Sequence, residues 1–128
     1  MGSQFQAKCK SCGHEFTAED GGGFFFHLLH CDKCGRAKDI SFRQLGEIHL
    51  RYLKGLPNGY CSASAEHDRI VRETYLGEPL SEDAYHKAVE AVAGHCRCRG
   101  KYTFDAKPRC SKCRSLDLEE GEATLMYD

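Results

Sequence analysis

At 128 residues the chain has room for one domain, or for two very small ones that share a core. A formal net charge of −1, 41% hydrophobic residues, no tryptophan and a mean hydropathy of −0.56 allow only a modest core. They exclude a membrane-spanning helix, since the longest apolar run, at residues 23–26, stops at His27.

Residues 4–8 alternate in polarity, and so do residues 14–17, as two strands on either side of a turn would. Residues 19–23 (Glu-Asp-Gly-Gly-Gly) read as another turn, and residues 24–30 are rich in strand formers. Phe24, Phe25 and Phe26 are expected to fill the small core beneath this ribbon, the other use for three adjacent rings being a binding surface. From Ser41 the period changes from two to 3.6. Phe42, Leu45, Ile48, Tyr52, Leu53 and Leu56 share one helical face, which Gly55 and then Pro57-Asn58-Gly59 bring to an end. A second helix is predicted from Ser62 or Ser64 as N-cap, through Ile70, Val71 and Tyr75, to Gly77. A third starts at Ser81, with Glu82 and Asp83 in its first turn and a stripe of Tyr85, Ala88, Val89 and Val92. Gly94 stops it. Residues 101–104 and 116–118 are predicted strands. The end of the chain, residues 119–128, is acidic, but Leu125, Met126 and Tyr127 predict that part of it packs back.

The cysteines carry the chemistry. Cys9-Lys10-Ser11-Cys12-Gly13 is matched by Cys31-Asp32-Lys33-Cys34-Gly35, and Cys96-Arg97-Cys98 precedes Cys110-Ser111-Lys112-Cys113. Two cysteines two residues apart in a tight turn aim both sulfurs at one point, and a following glycine lets the backbone turn under them. Lys8 and Cys9 arrive before any hydrophobic region, so a signal peptide is not expected. Position six does not carry the Ser or Thr that myristoylation of Gly2 would need. A reducing cytoplasm is therefore the expected compartment, where such pairs mean metal rather than disulfides. Eight sulfurs make two four-thiolate sites, and Cys61 is left over. Two zinc ions are the expected cofactors. Iron uses the same four ligands but suits less well a chain with no other redox feature. Local pairing closes loops of 18 and 11 residues, whereas joining the first pair to the last spans 97 and costs about 1.5 kcal/mol more. Local pairing is the expectation. A cross-brace in which the first pair shares a metal with the third is the alternative.

Cys9-x-x-Cys12-Gly13 with Cys31-x-x-Cys34-Gly35 resembles a zinc ribbon, or rubredoxin-like knuckle pair. Cys96-x-Cys98 with Cys110-x-x-Cys113 resembles a second, irregular one, whose first knuckle is a residue short. Each match covers about thirty residues. The resemblance implies zinc and a small β fold and says little of activity. The expected fold is thus α+β: an N-terminal zinc ribbon at 1–40, a three-helix middle segment at 41–94, and a C-terminal zinc ribbon with an acidic tail at 95–128.

Three functions stay open at this point. The first is a non-catalytic adaptor or regulatory protein, its zinc sites holding a scaffold for a protein partner, with no role at a membrane. The second is nucleic-acid binding through the basic second ribbon, where Arg97, Arg99, Lys101, Tyr102 and Phe104 interleave cations with rings. The third is a redox or thiol enzyme using Cys61 with Glu66 and His67 nearby. The histidines close to the ligand cysteines, His14, His27, His30 and His95, are expected to support the sites or lie at the surface rather than bind metal.

Overall fold

The computed structural model describes residues 2–127, apart from the side chain of Ser62. The fold is α+β, with two small three-stranded sheets flanking a helical middle segment.

Chain order begins with two hairpins. β1 (Gly2–Cys9) pairs antiparallel with β2 (Glu15–Asp20), and β3 (Phe26–Cys31) pairs with β4 (Ala37–Ser41). In both, the Cys-x-x-Cys-Gly segment is itself the hairpin turn. The far end of the chain completes each sheet. β6 (Leu118–Tyr127) lies along β1, from Gly2↔Tyr127 to Cys9↔Leu118, and β5 (Tyr102–Thr103) lies along β3, with Cys31↔Tyr102. The strand orders are therefore β2-β1-β6 and β4-β3-β5. The residues read as an acidic tail are thus an edge strand as far as Tyr127, and Asp128 lies outside the described residues.

The predicted helix from Ser41 is split. α1 (Phe42–Leu45) starts from Ser41, whose hydroxyl accepts from Gln44 N–H, and Gly46 at φ 57° breaks the chain before α2 (Glu47–Gly55). A 3₁₀ turn (Ser62–Ser64) leads into α3 (Ala65–Thr74). There Ser64 takes the N-cap position, but its hydroxyl donates to Asp68 instead of capping. α4 (Glu82–Ala93) follows the sequence pattern at both ends: the Ser81 side chain accepts from Ala84 N–H, and Gly94 leaves the helix at φ 74°. Its buried stripe is Tyr85, Val89 and Ala93, an i, i+4, i+8 row, with Val92 exposed.

The main core lies between the second sheet and the helices, where Leu29, Ile40, Leu45, Tyr85 and Val89 pack together with Cys31, Cys96 and Tyr102. The first sheet carries only a small cluster of Phe5, Ala7 and Ala18, with Phe16 and Leu118 against it. The three phenylalanines do not fill a core. Phe25 is 71% exposed, Phe24 is half-buried, and Phe26 stacks on Tyr127. Their places are taken by side chains of α1 and α4, which the second sheet covers instead. Inside the main core, Tyr85 Oη meets His27 Nε2 and His49 Nδ1, each at 2.7 Å. Burial first, and then the neighbouring His49 and His86, push His27 down to about 4; burial likewise holds His49 at about 4, so both rings are neutral.

Candidate metal centres

Four knuckles make two centres by one construction. In the first, third and fourth positions of the chain as in the second, the leading cysteine N–H donates back across the turn: Cys9 to His14 O, Cys31 to Arg36 O, Cys96 to Gly100 O and Cys110 to Ser115 O, at 2.8–2.9 Å. A second bond closes the turn onto the carbonyl of that cysteine, from Gly13, Gly35, Arg99 and Arg114 N–H respectively. All four of these closing residues have positive φ, at 76°, 72°, 75° and 64°. Glycine accepts that conformation freely in the first two; arginine is forced into it in the last two. The short Cys96-x-Cys98 knuckle therefore keeps both bonds, with its closing residue and its return carbonyl each one position earlier.

The knuckles group across the chain rather than within each ribbon. Cys9, Cys12, Cys110 and Cys113 form one set and Cys31, Cys34, Cys96 and Cys98 the other, with the four sulfurs of each set within 4.8 Å of one another. Close pairs stand at 3.5 Å (Cys9–Cys113) and 3.6 Å (Cys12–Cys110) in the outer set, and at 3.3 Å (Cys31–Cys98) and 3.5 Å (Cys34–Cys96) in the inner one. Local pairing, the expectation from loop lengths, is overturned, and the first-with-third cross-brace does not occur either. The arrangement is nested. Its extra closure cost is small, about 2 kcal/mol, because once the inner pair is joined the outer one has only the 18- and 11-residue segments left to span. Two strand pairings offset it. β1 with β6 sets Cys9 beside Leu118, and β3 with β5 sets Cys31 beside Tyr102. The two centres even share a detail: Lys10 N–H donates to Asp117 O and Asp32 N–H to Lys101 O, both at 2.9 Å.

Each set fits a divalent ion. Tetrahedral coordination with metal–sulfur bonds of about 2.3 Å puts sulfurs about 3.8 Å apart, close to the spacing here. All eight thiols are free, and backbone N–H groups point at them: Lys33 and Cys34 N–H at Cys31 Sγ, Lys112 and Cys113 N–H at Cys110 Sγ, all at 3.4–3.5 Å. Crowding splits the protons within each set. Burial raises the Cys9 thiol, but hydrogen bonds from Cys12, Cys113 and Ser11 bring it down to about 6, and the Cys98 N–H holds Cys96 at about 6. Burial pushes Cys34 up to about 12. Cys113, although the Ser115 N–H favours its thiolate, is pushed up to about 12 by the Cys9 sulfur and by burial. Four thiolates cannot stand together without a cation among them.

The remaining candidates lie elsewhere. His14 Nε2 meets Ser111 Oγ at 3.1 Å and Ser11 Oγ meets Ser115 Oγ at 3.0 Å, so the first and fourth knuckles are laced together beside their sulfurs. His30 Nε2 meets Glu19 O and joins the two sheets, His95 bridges to Lys101, and His27 sits in the core. Cys61 belongs to neither set. Its sulfur is 3.2 Å from Ser64 Oγ, while Glu66 pairs with Arg69 and His67 with Asp68. Of the basic second ribbon, Arg97, Arg99 and Lys101 are exposed, but Tyr102 is buried and Phe104 packs on the core against His27 and His86. What the sequence pattern missed is the pair of arginines that close knuckles, and Gly100, whose bare backbone lies against the Cys31 sulfur. A Gly two residues past a Cys-x-Cys was the only available signal.

Residues 5–119 match the family described as Domain of unknown function (DUF8255). The chain belongs to that family. The matched span holds all eight cysteines of the two sets. No curated protein and no solved structure matches the chain. Among the described residues, no helix is long and apolar enough to cross a membrane.

Proposed function

We propose that this DUF8255 protein is a non-catalytic cytoplasmic adaptor in which two zinc ions, one per four-cysteine set, hold a scaffold for a protein partner. The observation that carries the reading is the nested closure of both sets by residues from opposite ends of the chain. An ion with four protein thiolates has no open position for a substrate, and here each would lock one sheet shut, which is structural work. Zinc suits such a site better than iron in a chain without other redox groups. A protein partner is favoured by β6, a ten-residue edge strand whose Leu125 and Met126 are 52% and 61% exposed. An exposed strand edge with apolar side chains accepts a strand from another chain.

One observation favours nucleic acid as a second reading. Arg36, Arg97 and Arg114 line a single groove of about 420 Å³ beside the sulfurs of the inner set. Against it, the rings of Tyr102 and Phe104 are turned into the protein, so stacking on bases would have to come from elsewhere.

The test joins elemental analysis to capture from cell extract. Two zinc ions per chain, and a partner protein retained by the native chain but lost by a Leu125→Lys, Met126→Lys variant of equal zinc content, are expected. One ion per chain, or mostly iron, overturns the cofactor. Capture that nuclease abolishes and that weakens steeply with salt hands the function to the second reading.

A further inference from the structure

Away from the metal centres, a cavity of about 510 Å³ opens between the β2–β3 connection, the α1–α2 break and the start of α3. Phe24, Phe42 and Leu50 wall it, and the exposed Phe25 stands at its edge. It exists because Gly46, at φ 57°, breaks the helix there and because the phenylalanines stay out of the core. Its volume lies in the range of small-ligand sites, which pair apolar walls with a few fixed polar groups.

The charged groups around it favour neither sign of ligand. Asp68 is 1% exposed. Burial works against its charge, but bonds from Tyr60 N–H at 2.7 Å and Ser64 Oγ at 2.8 Å, with His67 beside it, hold its carboxyl below the ordinary range. Arg43 lines the same cavity from an exposed position, so one cation balances one anion and the guanidinium keeps its water. An ion brought in would give up hydration to apolar walls and gain no net opposite charge.

The polar group that is fixed there is His49. It is 7% exposed, neutral, and stacked on Phe42 with ring centroids 3.8 Å apart. Its Nδ1 is taken by the Tyr85 hydroxyl. Its Nε2 has no hydrogen-bond partner among the described residues, yet it is not sealed off, since no buried side-chain nitrogen or oxygen among them lacks a partner. The opening that His49 lines is this cavity. Tyr85 has one hydroxyl proton for two rings, so one of His27 and His49 accepts it and the other donates an N–H to the oxygen. His49 Nε2 is accordingly a donor in one arrangement and an acceptor in the other. A hydroxyl group serves both, because it donates and accepts.

We propose that the cavity binds a neutral aromatic compound carrying a hydroxyl group, its rings against Phe24, Phe42 and Leu50 and its hydroxyl on His49 Nε2. The site is separate from both metal centres and does not depend on the partner proposed above.

Three matched probes test it on the full zinc-loaded chain: 2-naphthol, 2-naphthoate and 2-naphthylmethylamine, which are neutral, anionic and cationic at about pH 7. Binding is followed by calorimetry, by backbone amide shifts and by the ring nitrogen resonances of His49. The naphthol should bind with Kd of roughly 0.1–1 mM, given its size, and should shift Phe42, Leu50, Ala63 and the His49 Nε2 resonance. Both charged probes should bind at least about tenfold more weakly. His49→Phe, which keeps an aromatic ring on Phe42, should weaken the naphthol about fivefold. Ala63→Trp, at an exposed position on the cavity wall, should abolish binding while zinc content stays at the native value. A charged probe that binds as tightly as the naphthol overturns the preference for a neutral ligand. An unmoved His49 Nε2 resonance with the naphthol bound, or naphthol binding undiminished by His49→Phe, overturns the placement of the hydroxyl. Absence of any shift around the cavity at about 2 mM naphthol overturns the site itself.

Discussion

Paired cysteine substitutions separate nested from local closure by counting ions. Cys12 and Cys113 belong to one set, so Cys12→Ser with Cys113→Ser should cost one ion, leaving one per chain. Cys12→Ser with Cys34→Ser strikes both sets and should leave none. Local pairing reverses the two results: the first variant would lose both ions, the second only one. The energetic scale supports so sharp a readout. A structural zinc site contributes apparent free energies on the order of 10 kcal/mol, and three thiolates with one hydroxyl do not hold the ion comparably. The first variant should also keep its folded middle, because the inner set ties β3 to β5, and the main core of Leu29, Ile40, Tyr85 and Val89 surrounds that set. Its sheet of β1, β2 and β6, resting on a small cluster of three buried side chains, should loosen. The assay is metal per chain by elemental analysis on freshly gel-filtered protein, with amide exchange reporting which strands open. If Cys12→Ser with Cys113→Ser releases two ions while Cys12→Ser with Cys34→Ser retains one, the nested assignment is wrong.

Other outcomes follow from single positions. Tyr85→Phe removes the hydroxyl that serves both His27 Nε2 and His49 Nδ1, leaving two buried ring nitrogens without partners, and should lower stability by roughly 2–4 kcal/mol in urea denaturation. His27 and His49 titrate near 4 in the folded chain, below the ordinary 6.5, so the unfolded state binds more protons and stability falls as pH drops through 6.5. Each ring should cost about 1.4 kcal/mol between about pH 7.5 and pH 5.5, measurable by urea midpoints, and neither ring should show an NMR titration above pH 5.5. A methyl group at Gly100 would collide with the Cys31 sulfur, so Gly100→Ala should lose the inner ion. Gly13→Ala meets nothing within 4 Å and should keep both ions, at a cost of about 1 kcal/mol for its positive φ.

The parts of the fold that were legible in the sequence are those set by local chemistry. Ser81 and Gly94 bracket α4 because a hydroxyl cap and a left-handed stop each act within one turn. Alternation marked β1 and β2, whose inward residues Phe5, Ala7 and Ala18 make a complete small cluster on their own. β4 went unread, since Ala37-Lys38-Asp39-Ile40-Ser41 buries only Ile40 and leaves almost no period to see. Gly46 was hidden inside a convincing helical stripe, because the face at Leu45 and Ile48 continues across the break. The eight cysteines could be counted but not grouped. Which knuckles share a centre is decided by β1–β6 and β3–β5 pairing, and such contacts between distant segments leave no mark on the spacing. For the same reason the rings of Tyr102 and Phe104, which looked available among arginines, turn inward: α4 and β3 supply the cover, and neither is near in sequence.

Nesting also sets an order on synthesis. Cys9, Cys12, Cys31 and Cys34 leave the ribosome together, 62 residues before their first rightful partner at Cys96. At 5–20 residues per second that is a wait of roughly 3–12 s, during which the four thiols are free to take an ion among themselves across an 18-residue loop. Metal captured then would have to be surrendered, the inner centre assembling before the outer one can close over it. A cell that supplies the metal slowly would give this chain its best chance to finish before it is locked.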